Sequence, residues 1–229
     1  MAVSIDTVYQ RVLAILNKEQ RGYVTPQEFN LFANQAQLDI FEQYFYDINQ
    51  FGRLPGNDTE FSDMLNILNE KINIFEKNED MTFTTPYWTT PADTYRLGTI
   101  VFNGATEVER INYNEFLYIN QSPYAKPKDS RPVFVANESG YKVYGDNPIV
   151  TNVSCNYIKT PAKVSWGYQM VFGEALYNAT TSTDFELHES EETELVIKIL
   201  SFAGLSVQDI NMYQVANQIE AQTNQQEKA

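Results

Sequence analysis

Apolar residues recur at helical spacing through the first third of the chain. Val8, Val12, Ile15 and Leu16 share one face of a helix expected from Asp6 to Gln20. A wider stripe of Phe29, Phe32, Ala33, Ala36, Ile40, Phe41, Tyr44 and Phe45 predicts a second helix from Pro26 to Ile48. The start of that helix is closely specified. After a turn at Gly22-Tyr23, Thr25 can cap it, and Glu28 three residues later completes a capping box. Pro26 takes the first helical position, where a missing N–H costs nothing. Asp39, Glu42 and Asp47 are then expected on its solvent face. Gly52, Pro55 and Gly56 mark a loop. A third helix, beginning near Asp58 or Thr59, carries Phe61, Leu65, Leu68, Ile72 and Phe75. Nothing in this opening is catalytic; two amphipathic helices meeting at a turn form a docking element.

The pattern changes at Met81. Short runs rich in Val, Ile, Tyr and Phe now alternate with turn residues. Met81–Thr85 is β-prone, and further strands are expected at Tyr95–Phe102, Glu107–Ile111, Val133–Ala136, Tyr141–Tyr144 and Val150–Ile158. Asn103-Gly104 is a hairpin turn signal, and Glu138-Ser139-Gly140 reads as a second short turn. Asn112–Tyr118 reads as a short helix, and Ser122–Pro132, with three prolines, as an extended loop. Pro161 ends the β region, and Trp166 is expected to pack it against the helices. Helical periodicity then returns. Glu189, Glu191, Glu192 and Glu194 crowd a helix start, where the macrodipole favours negative charge. Leu195, Val196, Ile199, Leu200 and Ala203 form the buried stripe, and Gly204 with Leu205 suggests a Schellman stop. A last helix from about Val207 carries Ile210, Val215 and Ile219, ahead of a polar tail from Asn224. The expected fold class is α+β. Residues 1–80 and 170–229 supply a helical body, and residues 81–169 form a β-rich insertion.

Charge refines this division. The net charge is −14, from 16 basic and 30 acidic side chains. Residues 1–80 hold 6 basic and 13 acidic side chains, residues 81–169 hold 8 and 7, and residues 170–229 hold 2 and 10. Acidic ends argue against duplex binding, which rests on Lys and Arg neutralising phosphates. They are compatible with a surface that DNA slides past and, more simply, with acidity that only keeps the protein soluble. Aromatic content is high, and 15 Tyr outnumber 14 Phe. Tyr joins contact area to a polar handle, which suits either an interface or a Tyr-rich β core. One Cys excludes an internal disulfide framework. Neither a signal peptide nor a membrane span is expected. Sequons at Asn57, Asn120, Asn137, Asn152 and Asn178 are given no role.

Catalytic signatures are missing. The single His188 removes any two-histidine metal site, and its place at a helix start points to a surface or capping role. Cys155, in a β-prone apolar run, reads as a buried and inert thiol. There is no nucleophile elbow, phosphate-binding glycine loop or dinucleotide fingerprint. No catalytic residue, cofactor or metal is therefore assigned, and the chain is read as a non-enzyme.

The segment Asp93-Thr94-Tyr95-Arg96-Leu97-Gly98 followed by Val108-Glu109-Arg110 resembles one recurrent in virion structural proteins of podoviruses. Pro161-Ala162-Lys163-Val164-Ser165-Trp166 and Asp184-Phe185-Glu186-Leu187-His188, with the helix Glu194–Leu200, extend the likeness. The opening helices are similar to those of tailed-phage head-to-tail connector proteins. The resemblance is to ring or adaptor proteins beneath the portal of crAss-like and similar phages. It implies a virion structural subunit, assembled in the host cytoplasm into a ring of twelve copies, with the portal and neighbouring ring or tail proteins as partners. DNA would pass through the ring without specific binding. Other roles compatible with the chain are a tail-tube or tail-barrel subunit, or a virion-bound carbohydrate-binding module or hydrolase.

The one basic cluster, Lys126, Lys128 and Arg131, lies in the proline-containing loop. Glu189, Glu191 and Glu192 supply an acidic counterpart on another part of the chain. These six residues are the candidate interface, matched between neighbouring copies as a heterologous, ring-closing contact. The acidic ends set one expectation at once. In a fluorescence-anisotropy titration at physiological salt, duplex DNA should bind more weakly than about micromolar; tighter binding would contradict the charge argument.

Overall fold

Helical and extended periodicities resolve here into a mixed α/β fold. The computed structural model describes residues 3–18, 24–51, 64–206 and 218. In chain order its elements are α1 (Ile5–Lys18), α2 (Pro26–Phe51), α3 (Met64–Asn73), β1 (Glu76–Asp80), β2 (Thr82–Thr84), β3 (Tyr87–Thr89), β4 (Thr94–Phe102), β5 (Thr106–Arg110), α4 (Tyr113–Gln121), β6 (Val133–Asn137), β7 (Gly140–Tyr144), β8 (Val153–Lys159), β9 (Tyr168–Val171), β10 (Glu174–Tyr177) and α5 (Glu192–Ser206). They divide into two units, one of Met1–Ile74 with Pro161–Ala229 and one of Phe75–Thr160. The turn at Gly22-Tyr23, the loop at Gly52, Pro55 and Gly56, the start of the third helix with Phe61, and the last helix and tail lie outside the described residues.

In the first unit the capping box forms as expected. The Thr25 N–H donates to Glu28 Oε2 at 2.9 Å, and the Glu28 N–H donates to Thr25 Oγ1 at 3.3 Å. These bonds, the one from the Thr25 backbone first, hold the Glu28 carboxyl below the ordinary glutamate value. Ile5, Val8, Tyr9, Val12 and Leu16 of α1 are buried, but Ile15 is 41% exposed, although it lies only about 20° from Val8 around the helix. Phe29, Ala33, Ala36, Ile40, Phe41 and Tyr44 bury one side of α2. Asp47, expected in solvent, is buried, since the same face comes round again three residues after Tyr44. Phe75 does not belong to α3, which ends at Asn73; it is buried in the second unit.

The segment 162–166 is attached to α2 by side-chain amides. Asn30 Oδ1 accepts from the Trp166 N–H at 2.7 Å. Asn34 both accepts from the Val164 N–H at 3.0 Å and donates to the Val164 carbonyl at 2.9 Å. Gln37 donates to the Ala162 carbonyl at 2.8 Å and accepts from the Glu186 N–H at 3.2 Å. The spacings match physically: one helical turn advances about 5–6 Å, and two extended residues about 6.6 Å. Trp166 is anchored within the first unit. Its ring packs at 4.2 Å on Tyr9, and its indole N–H donates to Asp6 Oδ1 at 3.0 Å, all within the first unit.

The stretch after Trp166 also departs from expectation. Residues 168–177 form the hairpin β9–β10, where the pattern had given only the approach to a helix. Leu195, Ile199 and Ala203 of α5 are fully buried, and Gly204 lies inside the helix instead of ending it. Lys198 and Ser201 are buried as well, so α5 is enclosed on most sides.

The second unit is an eight-stranded sheet in the order β1-β8-β4-β5-β6-β7-β3-β2. Its two outer strands are consecutive in sequence, with only Met81 between them. The sheet therefore curls enough to bring one end of each outer strand together, without pairing between them. Trp88, Ile100, Val108, Phe134, Val143, Cys155 and Tyr157 are buried in its main core, together with Met81. The strand β1, Glu-Lys-Asn-Glu-Asp, precedes the pattern change at Met81 and was not expected. Its residues pair with β8 from Glu76↔Ile158 to Asp80↔Ser154, although their side chains are mostly exposed. β8 begins at Val153 and not at Val150, because Asn152 turns the chain with φ 56°. The Asn103-Gly104 hairpin forms with φ 51° and 69°, as a type I′ turn requires. β5 and β6 pair in parallel, and α4 crosses between them. Phe116 and Ile119 of α4 pack on Ile111, Val133 and Val135.

The amide ladder supplies the test. Asn34→Ala leaves two backbone groups of Val164 without their partners and should lower the unfolding free energy by about 2–4 kcal/mol. Asn49→Ala, whose exposed amide reaches only back to the Phe45 carbonyl, should change it by less than about 0.5 kcal/mol. Urea denaturation of the two variants beside the parent decides it.

Candidate assembly surface

The loop after α4 is built from anchored and free positions in alternation. Pro127 and Pro132 are buried, which pins the loop, while Lys126, Lys128 and Arg131 are exposed. Two bonds tighten it: Lys128 and Arg131 pair as an isolated β-bridge, and the Asp146 N–H donates to Asp129 Oδ1 at 3.0 Å. Arg131 also forms an ion pair with Glu109 at 3.2 Å, an exposed contact worth little to stability. The loop is thus ordered by its own chain, and Lys126 and Lys128 point their charge into solvent.

Sequence reasoning missed the surface beside this cluster. α4 turns Phe116 and Ile119 inward; Leu117 and Tyr118 are exposed on the other side, and Tyr113, whose ring lies 6.5 Å from that of Phe116, is exposed at the edge. Tyr124, at the start of the loop, is almost wholly exposed. The signal was present in the helical period of 113–121. The exposed tyrosines match the composition of protein interfaces, where Tyr is enriched; the lysines that follow in the chain do not, since Lys is depleted there.

The acidic candidates lie in the first unit and are largely used there. Glu191 is 4% exposed and pairs with Lys71 at 2.6 Å. Glu192 pairs with Arg11 at 2.9 Å. Glu189 is the exposed member of the three. It opens a single 3₁₀ turn, Glu189–Glu191, that leads into α5. His188 caps that turn: its Nδ1 accepts from the Ser190 N–H at 3.2 Å.

Other chemistry-bearing groups are committed to structure. Burial, first of all, pushes the Cys155 thiol up to about 11, away from thiolate reactivity. Asp93 accepts from the Tyr157 hydroxyl at 2.9 Å and from Lys77 Nζ at 3.1 Å. Lys77, chiefly, and then Tyr157 hold the Asp93 carboxyl below the ordinary aspartate value. The same bond raises Lys77, and burial raises Tyr157. A phenol and an amine both held protonated are poorly suited to act as bases, so this cluster serves as a clamp between β1, β4 and β8. Both tryptophans are buried, and the Trp88 indole donates to the Ile149 carbonyl at 2.9 Å. Among the described residues, no group of three or more His, Cys, Asp or Glu side chains is placed to hold a metal. No described helix is long and apolar enough to cross a membrane.

A cleft of about 410 Å³ opens in the second unit, where β4 pairs with β5 only from Ile100 to Phe102. Tyr95, Arg96, Arg110, Phe134 and Tyr141 are among its lining residues. No protein-family model matches this chain, and no curated protein matches it.

The Asp93 clamp carries a pH signature. A carboxyl depressed in the folded state adds stability that is present above the ordinary aspartate value and is lost as pH falls through the folded value. Asp93→Asn should therefore reduce the urea midpoint at neutral pH. The gap between parent and variant should close on acidification; a gap independent of pH would refute the clamp.

Proposed function

We propose that this chain is a structural virion protein, a subunit of a head-to-tail connector ring beneath the portal, forming part of the DNA ejection conduit. The observation that carries it is the run of exposed large side chains on α4 and the start of the loop after it, Tyr113, Leu117, Tyr118 and Tyr124, followed in the chain by the exposed Lys126 and Lys128. Its tyrosines suit a contact surface, and its loop is already ordered, so binding costs little conformational entropy. The division of the chain is consistent with this role. Helices from both ends form one helical body, joined by the Arg11–Glu192 and Lys71–Glu191 ion pairs, and the β-rich unit is an insertion within it. The resemblance of its segments to podovirus connector proteins supplies the place in the virion and the expectation of twelve copies.

Glu189 is the acidic candidate with its carboxylate exposed, so a complementary acidic patch on a neighbour would centre on it and not on Glu191 or Glu192. Rim charges of this kind act mainly on association rate and salt dependence. A tail-tube or tail-barrel position remains the alternative within the same class. The cleft walled by Tyr95 and Tyr141 beside Arg96 and Arg110 favours a second class, a carbohydrate-binding module, in which tyrosines would stack on sugar rings. A glycan array separates that class, because a connector subunit should show no saccharide affinity.

The deciding experiment is co-expression with the portal of the same phage, followed by mass measurement and imaging of the complex. A closed ring of twelve 26.3 kDa subunits on the portal is expected. Replacing Lys126, Lys128 and Arg131 together by Glu should slow ring assembly and leave the thermal transition of the monomer nearly unchanged. A chain that never joins the portal, or whose assembly ignores the triple replacement, overturns the proposal for this surface.

A further inference from the structure

The hairpin β9–β10 exposes what a hairpin ordinarily hides. Its base is rigid: Tyr168 stacks on Trp166 at 5.9 Å, Tyr177 lies 5.8 Å from the same ring, and Gln27 donates to the Tyr168 hydroxyl at 3.5 Å. Beyond the base, Met170, Val171, Phe172 and Leu176 are all exposed. The register Val171↔Glu174 makes Phe172 and Gly173 the two turn residues, with φ 51° and 90°. A bulky side chain at positive φ is strained, and Asn-Gly is the usual choice for such a turn. The hairpin β4–β5 of this chain makes that choice with Asn103-Gly104. At the second tip, Phe172 accepts the strain and is also 104% exposed. Neither the backbone nor the core of a lone chain gains from Phe at this place. Strain kept without a structural return marks a functional position.

The charge distribution narrows where a second copy, the occupant that the ring reading supplies, could approach. Residues 164–183 carry a single charged side chain, Glu174, in a chain of net charge −14. A second copy approaching elsewhere on the first unit meets like charge, and it meets least around this hairpin. The same unit also exposes two leucines on one strip of α2, Leu31 and Leu38, with Gln35 between them and Glu42 one turn beyond. Gln27, Leu31 and Leu38 lie within about 40° of one another around α2. Leu31 is 71% exposed, although Gln27 one turn earlier reaches the base of the hairpin, so the tip does not fold back on its own helix. We infer that the β9–β10 hairpin is an arm by which one copy grips the next, seating Phe172 on the outer face of α2 at Leu31 and Leu38. An arm on one surface and a seat on another make a heterologous contact, which propagates around a ring or along an open chain. The inference rests on the ring reading only in taking a second copy as occupant.

Sedimentation velocity of the full chain over a wide concentration range tests it. Phe172→Asn removes the apolar tip and suits the positive φ, so the thermal transition should hold or rise. Self-association should weaken by about tenfold or more, as for a central anchor residue. A mixture of Phe172→Cys and Leu31→Cys chains should form intermolecular disulfides, with little background because Cys155 is buried. A chain that stays monomeric up to its solubility limit overturns the inference. So does association that Phe172→Asn leaves unchanged, or one lost without any cross-link to Leu31. Closed rings formed equally by parent and Phe172→Asn defeat the arm and leave the ring reading standing. Arm-dependent association that yields only open chains supports the arm and defeats the ring.

Discussion

The first unit depends on an exchange of hydrogen bonds between a helix and a strand-like segment. Asn30, Asn34 and Gln37 of α2 present side-chain amides to the backbone of residues 162–166 and 186, much as a neighbouring strand would. An extended segment buried against a helix otherwise leaves its N–H and C=O groups without partners, at a cost of about 1–3 kcal/mol each. The amides remove that cost at one-turn intervals. They also fix the register, so Trp166 lands against Tyr9 and Asp6. The ladder thereby sets the path of residues 162–166 along α2, before the Val3–Phe185 bridge and the Arg11–Glu192 and Lys71–Glu191 pairs tie the later residues to the N-terminal helices.

Much of this was legible in the sequence, and the reasons for success and failure are specific. The helix α2, its capping box and the Asn103-Gly104 turn are local features, written in neighbouring residues. The strand β1 was illegible because strand periodicity shows only where one face is buried, and this strand keeps nearly all its side chains in solvent. The role of Asn30, Asn34 and Gln37 was hidden for the opposite reason: polar residues on a helix ordinarily mean solvent, and only the returning chain shows otherwise. Asp47 failed in the same way.

For the candidate surface, charge alone exposed Lys126, Lys128 and Arg131, and they are indeed on the outside. The Glu189–Glu194 cluster was read by the same logic, but burial overrode it: Glu191 turns inward to Lys71, and Glu192 to Arg11. The β9–β10 hairpin gave no sign, since an apolar run such as Met170-Val171-Phe172 usually means core. Its exposure depends on what the rest of the unit leaves uncovered, which no local pattern encodes.

The second unit enters and leaves the chain at one point. The Lys159 N–H donates to the Phe75 carbonyl at 2.8 Å, so the incoming and outgoing strands are tied together. For the helical unit, the whole of residues 75–160 is then a single staple between Ile74 and Pro161. Loop-closure entropy grows only logarithmically with length, so the size of what hangs from that staple matters little to the helices. The first unit and the sheet unit can therefore diverge at different rates, one exchanged or enlarged while the other keeps its packing. Variation among relatives should appear as replacement of a cassette between these two residues and not as gradual drift across the boundary.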